Sequence, residues 1–191
     1  VNAQSPANLV SDLYAVTGDI LHKKGEEQEA FAAYDSCLQW KDDNVMALNN
    51  YAYYLSEKGV DLHKAESMSY KTIKAEPNNG TYLDTYAWIL FMEERYADAK
   101  TYIDQALKNR DSTADNSTVL EHAGDIYYMN GMADESVDFW KKAYTGENQT
   151  EVLAWKIKNR QYITGEELKK RNAPKQKPAA TKKSVRKGKK K

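Results

Sequence analysis

The chain has one cysteine, Cys37, in 191 residues. No internal disulfide can form, and no cysteine-based zinc cluster can be built. It has no run of 18 apolar residues, so no segment reads as a membrane-spanning helix. No signal-peptide or lipidation pattern is visible. Only three histidines occur, His22, His63 and His122. They stand far apart, and none has the HExxH spacing of a metal site. There is no GxSxG elbow, Walker sequence or glycine-rich phosphate loop. Asp125 lies three residues after His122, which allows a local ion pair but not a catalytic group. These absences predict a chain that is not an enzyme and holds no cofactor or metal.

Charge is balanced in total and divided in space. The chain has 28 basic and 28 acidic residues. From 164 onward there are 12 basic and 2 acidic ones, which leaves 16 basic and 26 acidic before that point. The protein therefore reads as an acidic body with a basic tail.

What fills the body is a repeated pattern. Residues 82–107 carry two amphipathic stripes joined by the polar turn Glu93-Glu94-Arg95. The first holds Leu83, Tyr86, Ala87 and Leu90, and the second Tyr96, Ala99, Ile103 and Ala106, both at helical spacing. Neither stripe can be buried by the pair alone. Small residues recur in ladders along the chain: Gly18, Ala52, Ala87 and Gly124 are spaced 34, 35 and 37. Ala30, Ala65, Ala99 and Ser136 form a second ladder, and Cys37, Thr72, Ala106 and Ala143 a third. Small side chains at fixed positions let two helices approach closely. Polar breaks fall at Asp42, Pro77, Asp111 and Asn148. Cys37, being on a small rung, reads as a buried packing thiol.

A period near 34, helix–turn–helix units and these rungs resemble the tetratricopeptide repeat. Gly18, Leu21, Gly25, Ala30, Tyr34 and Cys37 carry the likeness in the first unit; Leu83, Ala87, Leu90, Tyr96, Ala99, Ile103 and Ala106 carry it in the third. Glu94 replaces the usual turn glycine, and proline marks only one of four breaks. The wording NNYAYYL and YLDTYAWIL is also similar to repeat proteins of bacterial, Bacteroides-type, cell envelopes. The resemblance implies an all-α, right-handed α-solenoid with a C-terminal capping helix. Residues 1–10 are a partial lead-in from a preceding repeat. Four repeats follow at about 11–44, 45–79, 80–116 and 117–150, then a capping helix at 151–163. Residues 164–191 form a basic, largely disordered tail, although Thr164-Gly165-Glu166-Glu167 has capping-box spacing.

The resemblance also implies a scaffold that binds an extended peptide or partner helix in its concave groove. Helical geometry places Asp19 and His22 of the first unit on that face. The second adds Asn49, Asn50 and Tyr53, the third Asp84, Thr85, Trp88 and Phe91, and the fourth Glu121, His122, Asp125 and Tyr128. Asn49 and Asn50 suit a peptide backbone, while Tyr53, Trp88 and Phe91 suit apolar anchors. The field is acidic, which predicts a neutral or basic protein partner and no clamp for a terminal carboxylate. The tail, with Lys182, Lys183, Arg186, Lys187, Lys189, Lys190 and Lys191, supports an alternative role. It would associate non-specifically with nucleic acid or anionic lipid, since no aromatic residue interleaves the lysines. The expected compartment is the bacterial cell envelope, periplasmic or membrane-associated, with the cytoplasm as alternative.

Overall fold

A computed structural model describes residues 6–111 and 114–173. Among them are ten α-helices, a single 3-10 turn at Gly146–Asn148, and no strand. Helices α1 (Ala7–Lys23) and α2 (Glu27–Trp40) form the first hairpin, α3 (Val45–Lys58) and α4 (Leu62–Ala75) the second. The third is α5 (Gly80–Met92) with α6 (Tyr96–Asn109), the fourth α7 (Ser117–Met129) with α8 (Ala133–Ala143). Helix α9 (Glu151–Asn159) covers the end of the array, and α10 (Gly165–Asn172) follows.

The small ladders are the packing axis. All twelve rung residues are buried, from Gly18 and Ala30 in the first unit to Ser136 and Ala143 in the fourth. Each unit matches its small residue to the side chain sixteen positions later. A Cβ on Gly18 would lie 2.8 Å from Tyr34 Cζ, and one on Gly124 would lie 2.3 Å from Trp140 Cδ1. Where the rung is alanine, at Ala52 and Ala87, the later residue is the slimmer Met68 or Ile103. Total volume is conserved across the pair, as a close-packed interior requires. Cys37 is wholly buried with its sulfur 3.1 Å from Ser11 Oγ, and burial pushes the thiol up, away from a reactive thiolate.

Turn chemistry also follows the pattern. Gly25, Gly59 and Gly131 take positive φ after the first helix of their hairpins. The third hairpin puts Glu94 there, at φ 62. Asn44 and Asn79 cap α3 and α5 by accepting from backbone N–H groups at 3.0–3.3 Å.

At Thr164, where the sequence has capping-box spacing, one more helix begins. The Thr164 hydroxyl accepts from Glu167 N, and the Glu167 carboxylate accepts from Thr164 N, which completes the capping box and starts α10. Leu168 is buried and Arg171 lies over the Trp155 ring at 5.1 Å. The tail lysines and arginine from Lys182 to Lys191 lie outside the described residues.

Candidate functional site

Successive first helices α1, α3, α5 and α7 touch one another, whereas second helices make no contact of comparable extent. The first helices therefore line the inside of the curve. The described part of that face is less free than the sequence suggests, because a recurring joint consumes it. From α1 to α3, from α5 to α7 and from α7 to α9, the later helix reaches the residue just after the small rung on the earlier one. Asn50 Nδ2 donates to Asp19 Oδ1 at 3.0 Å. His122 stacks on Trp88 at 4.1 Å between ring centroids. Lys156 of α9 donates to both oxygens of Asp125 at 2.8 Å. Asn50, His122 and Lys156 make this contact in turn, so α9 meets α7 as α3 meets α1 and α7 meets α5.

Both aspartates just after a glycine rung have a second duty. The large aromatic that fills the glycine's space carries a polar hydrogen, and that hydrogen goes to the neighbouring aspartate. Tyr34 Oη donates to Asp19, and Trp140 Nε1 donates to Asp125 at 2.8 Å. The Gly-Asp dipeptides at 18–19 and 124–125 thus provide space and an acceptor together.

The remaining acids are largely engaged. Asp84 is buried with its carboxylate 3.0 Å from His122 Nδ1. Burial works against a charged imidazole, but Asp84, with Asp125 and Glu121, outweighs it, so the His122 pKa is raised. Burial pushes the Asp125 carboxyl up, and Lys156 and the Trp140 N–H oppose that shift. Glu121 accepts from Lys156 at 3.0 Å and from Asn148 at 3.2 Å. Lys156 itself is 3 % exposed, an ammonium held between two carboxylates with the Tyr162 ring 5.3 Å away.

Of the residues expected in the groove, Tyr53, Trp88, Glu121, His122 and Asp125 meet around one cavity of about 430 Å³. Glu57, Met92, Lys156, Tyr162 and Thr164 are among the other residues that line it. Asp19, Asn49 and Asn50 lie beyond it on α1 and α3. Asp84, Thr85 and Phe91 are buried, and Tyr128 packs on Trp140 at 5.8 Å. Phe91 serves as the anchor for the C-terminal segment, with Tyr162 edge-on at 5.7 Å. The sequence reading passed over Lys156 and Tyr162. Lys156 had one usable signal, a spacing of 34 from His122.

Five side-chain atoms among the described residues are buried without a hydrogen-bond partner: His22 Nδ1, Asn49 Oδ1 and Trp88 Nε1 on the first helices α1, α3 and α5, and Ser69 Oγ and Ser136 Oγ on the second helices α4 and α8. Asn49 also donates weakly to Asn50, at 3.3 Å. The His22 ring stacks on Tyr54 at 3.5 Å. Elsewhere, ligand atoms of His63, Glu66 and Glu93 gather within 4.8 Å of one another. Arg95 already holds both carboxylates, at 2.6 Å to Glu66 and 3.1 Å to Glu93. That cluster is accounted for by its arginine.

No family model matches the chain. A TPR repeat-containing protein of Pseudomonas aeruginosa is 35 % identical over 66 residues, 35 % of this chain and 11 % of that protein. The chain thus aligns with only a small part of that relative. Among solved structures, Pseudomonas aeruginosa pilF superposes with a TM-score of 0.68 at 16 % identity, covering 82 % of this chain and 69 % of the other. A tetratricopeptide repeat protein from Parabacteroides merdae gives 0.61 at 20 % identity, covering 78 % and 57 %. YrrB, described as a TPR protein with an unusual peptide-binding site, gives 0.54 at 18 % identity, covering 77 % and 74 %. The fold is therefore the tetratricopeptide-repeat solenoid, and the chain is similar to bacterial proteins built from that repeat.

Proposed function

We propose that the chain is a non-catalytic protein-interaction scaffold that holds an extended segment of a neutral or basic partner along the inner face of α1, α3 and α5. The observation that carries this is the trio of unpaired buried atoms on that face, His22 Nδ1, Asn49 Oδ1 and Trp88 Nε1. An unmade buried hydrogen bond costs about 1–3 kcal/mol, so three on one face call for a reason. A peptide backbone offers acceptors and donors in alternation, which suits a mixed set of this kind. The adjoining cavity, walled by Tyr53, Trp88 and Tyr162, would take an anchoring side chain. The description of YrrB as having a peptide-binding site supports the same use of this fold. The proposed setting is the bacterial cell envelope, in keeping with the resemblance to envelope repeat proteins.

The test uses substitutions that remove the unpaired atoms and keep the shape. Trp88→Phe loses the N–H and Asn49→Leu loses the carbonyl. Extended peptides selected from a library against the native chain should bind the double variant at least about tenfold more weakly, the worth of one lost hydrogen bond. Its Tm should be unchanged or higher, since unpaired polar groups leave the interior. Selected peptides that bind the variant as well as the native chain would refute the reading, as would a library that yields none.

A further inference from the structure

Helix α3 brings a carboxylate without a basic partner to the wall of the inner-face cavity. Glu57 lines that cavity, and the Tyr53 hydroxyl donates to it at 3.1 Å. Among the described residues no lysine, arginine or histidine pairs with Glu57; the adjacent Lys58 pairs with Glu27 instead. Tyr53, Trp88 and Met92 line the same cavity beside it.

The cavity already houses one cation with the same materials. Lys156 is held by Asp125 at 2.8 Å and Glu121 at 3.0 Å, and its ammonium lies 5.3 and 5.9 Å from the Tyr162 and Trp140 rings. Carboxylates and aromatic faces together offset the hydration that an enclosed cation gives up. Glu57 with Tyr53 and Trp88 repeats that combination, and no described basic residue answers it.

The balance of charge agrees. The Asp84–His122 and Asp125–Lys156 pairs cancel, which leaves Glu121, already shared with Lys156, and Glu57. The titratable groups around the cavity feel that surplus. Burial disfavours a charged His122, yet Asp84, Asp125 and Glu121 raise its pKa. Burial pushes the Tyr53 and Tyr162 hydroxyls up, and Glu57 beside the one and Asp125 beside the other push further.

We propose that the cavity takes an arginine side chain of the bound segment, with the guanidinium against the aromatic wall and paired with Glu57. This rests on the inner face being a peptide groove, and it names the residue that anchors the peptide there. A neutral anchor would enclose the Glu57 carboxylate with no counter-charge, and an acidic one would add repulsion. A guanidinium is planar, weakly hydrated and rich in donors, so it suits rings and a carboxylate together better than an ammonium does. One pair met inside a cavity is also little weakened by salt.

The test uses the side chain alone as the probe. N-acetyl-arginine amide is titrated into the full chain while NMR follows the Trp88 indole N–H, assigned by its loss in Trp88→Phe. N-acetyl-citrulline amide has the same shape without the charge, and N-acetyl-norleucine amide is the apolar control. The arginine probe should move the Trp88 signal with a Kd on the order of 1 mM and bind at least about tenfold more tightly than citrulline. Glu57→Gln keeps an oxygen for the Tyr53 hydroxyl; it should erase the preference for arginine and leave citrulline binding unchanged. An arginine probe that leaves the Trp88 signal unmoved overturns the proposal. So does a citrulline or norleucine probe that binds as tightly, or a preference that survives Glu57→Gln. Library peptides that bind while the arginine probe fails would sink this pocket and leave the peptide reading standing. An arginine probe that binds as expected while the library yields no peptide would sink the peptide reading instead.

Discussion

Replacing Lys156 with methionine should loosen α9 from the array. Lys156 is 3 % exposed and contacts both oxygens of Asp125 at 2.8 Å and Glu121 at 3.0 Å. Asp125 is itself 3 % exposed, so the substitution leaves a buried carboxylate with only the Trp140 N–H facing it. Removing one partner of a buried pair costs about 3–5 kcal/mol. For a chain of this size each kcal/mol moves Tm by about 2–4 °C, so the fall should be about 6–20 °C. The measurement is thermal and urea unfolding followed by circular dichroism, with hydrogen exchange of the α9 amides reporting that helix. Adding Asp125→Asn should recover most of the loss, since the amide oxygen still accepts from Trp140 and no bare charge remains. A single variant within about 1 kcal/mol of the native chain would refute the reasoning, as would a double variant no better than the single.

Other positions give shorter predictions. Gly124→Ala should cost about 1–3 kcal/mol, because its Cβ would lie 2.3 Å from Trp140 Cδ1; trimming the ring as Gly124→Ala/Trp140→Ile should recover part of that in chemical unfolding. Glu94→Gly should stabilise by about 1 kcal/mol, since φ 62 strains a residue with a Cβ and the side chain is exposed. His122 has a folded pKa above its unfolded value, so its contribution is fully present below an unfolded pKa of about 6.5 and is lost as pH rises through the folded value. The urea midpoint should therefore drop over that rise, and His122→Gln should flatten the profile. A flat native profile would contradict the Asp84–His122 pairing.

The sequence made the scaffold legible because small residues are rare signals with one strong meaning. Gly18, Ala52, Ala87 and Gly124 can only be read together, and the structure buries each of them. Glu94 stood out as a glycine substitute, and its backbone adopts the glycine conformation. The inner face was harder to read, because helical geometry gives direction but not company. Asp84 and Phe91, expected in the groove, are buried, with His122 and Tyr162 packed against them. Lys156 was missed because α9 was read by its apolar positions, where a charged residue is discounted. A lysine aimed at carboxylates on another helix is visible only once the joint register is known.

That register changes what the acidic character of the inner face means. A surplus of carboxylates along α1, α5 and α7 would attract cations if they faced water freely. Instead Asp19 takes hydrogen bonds from Tyr34 and Asn50, Asp84 pairs with His122, and Asp125 pairs with Lys156. Each carboxylate answers a donor that the packing itself introduces: an aromatic over a glycine, or the next helix in the array. The local field is then mostly spent inside the protein, and what reaches a ligand is the residue of several near-cancelling pairs. Recognition on this face should rest on hydrogen bonds to unpaired groups such as Asn49 and Trp88 and on the aromatic cavity wall. It should accordingly depend weakly on salt, because contacts of that kind are screened far less than exposed charges.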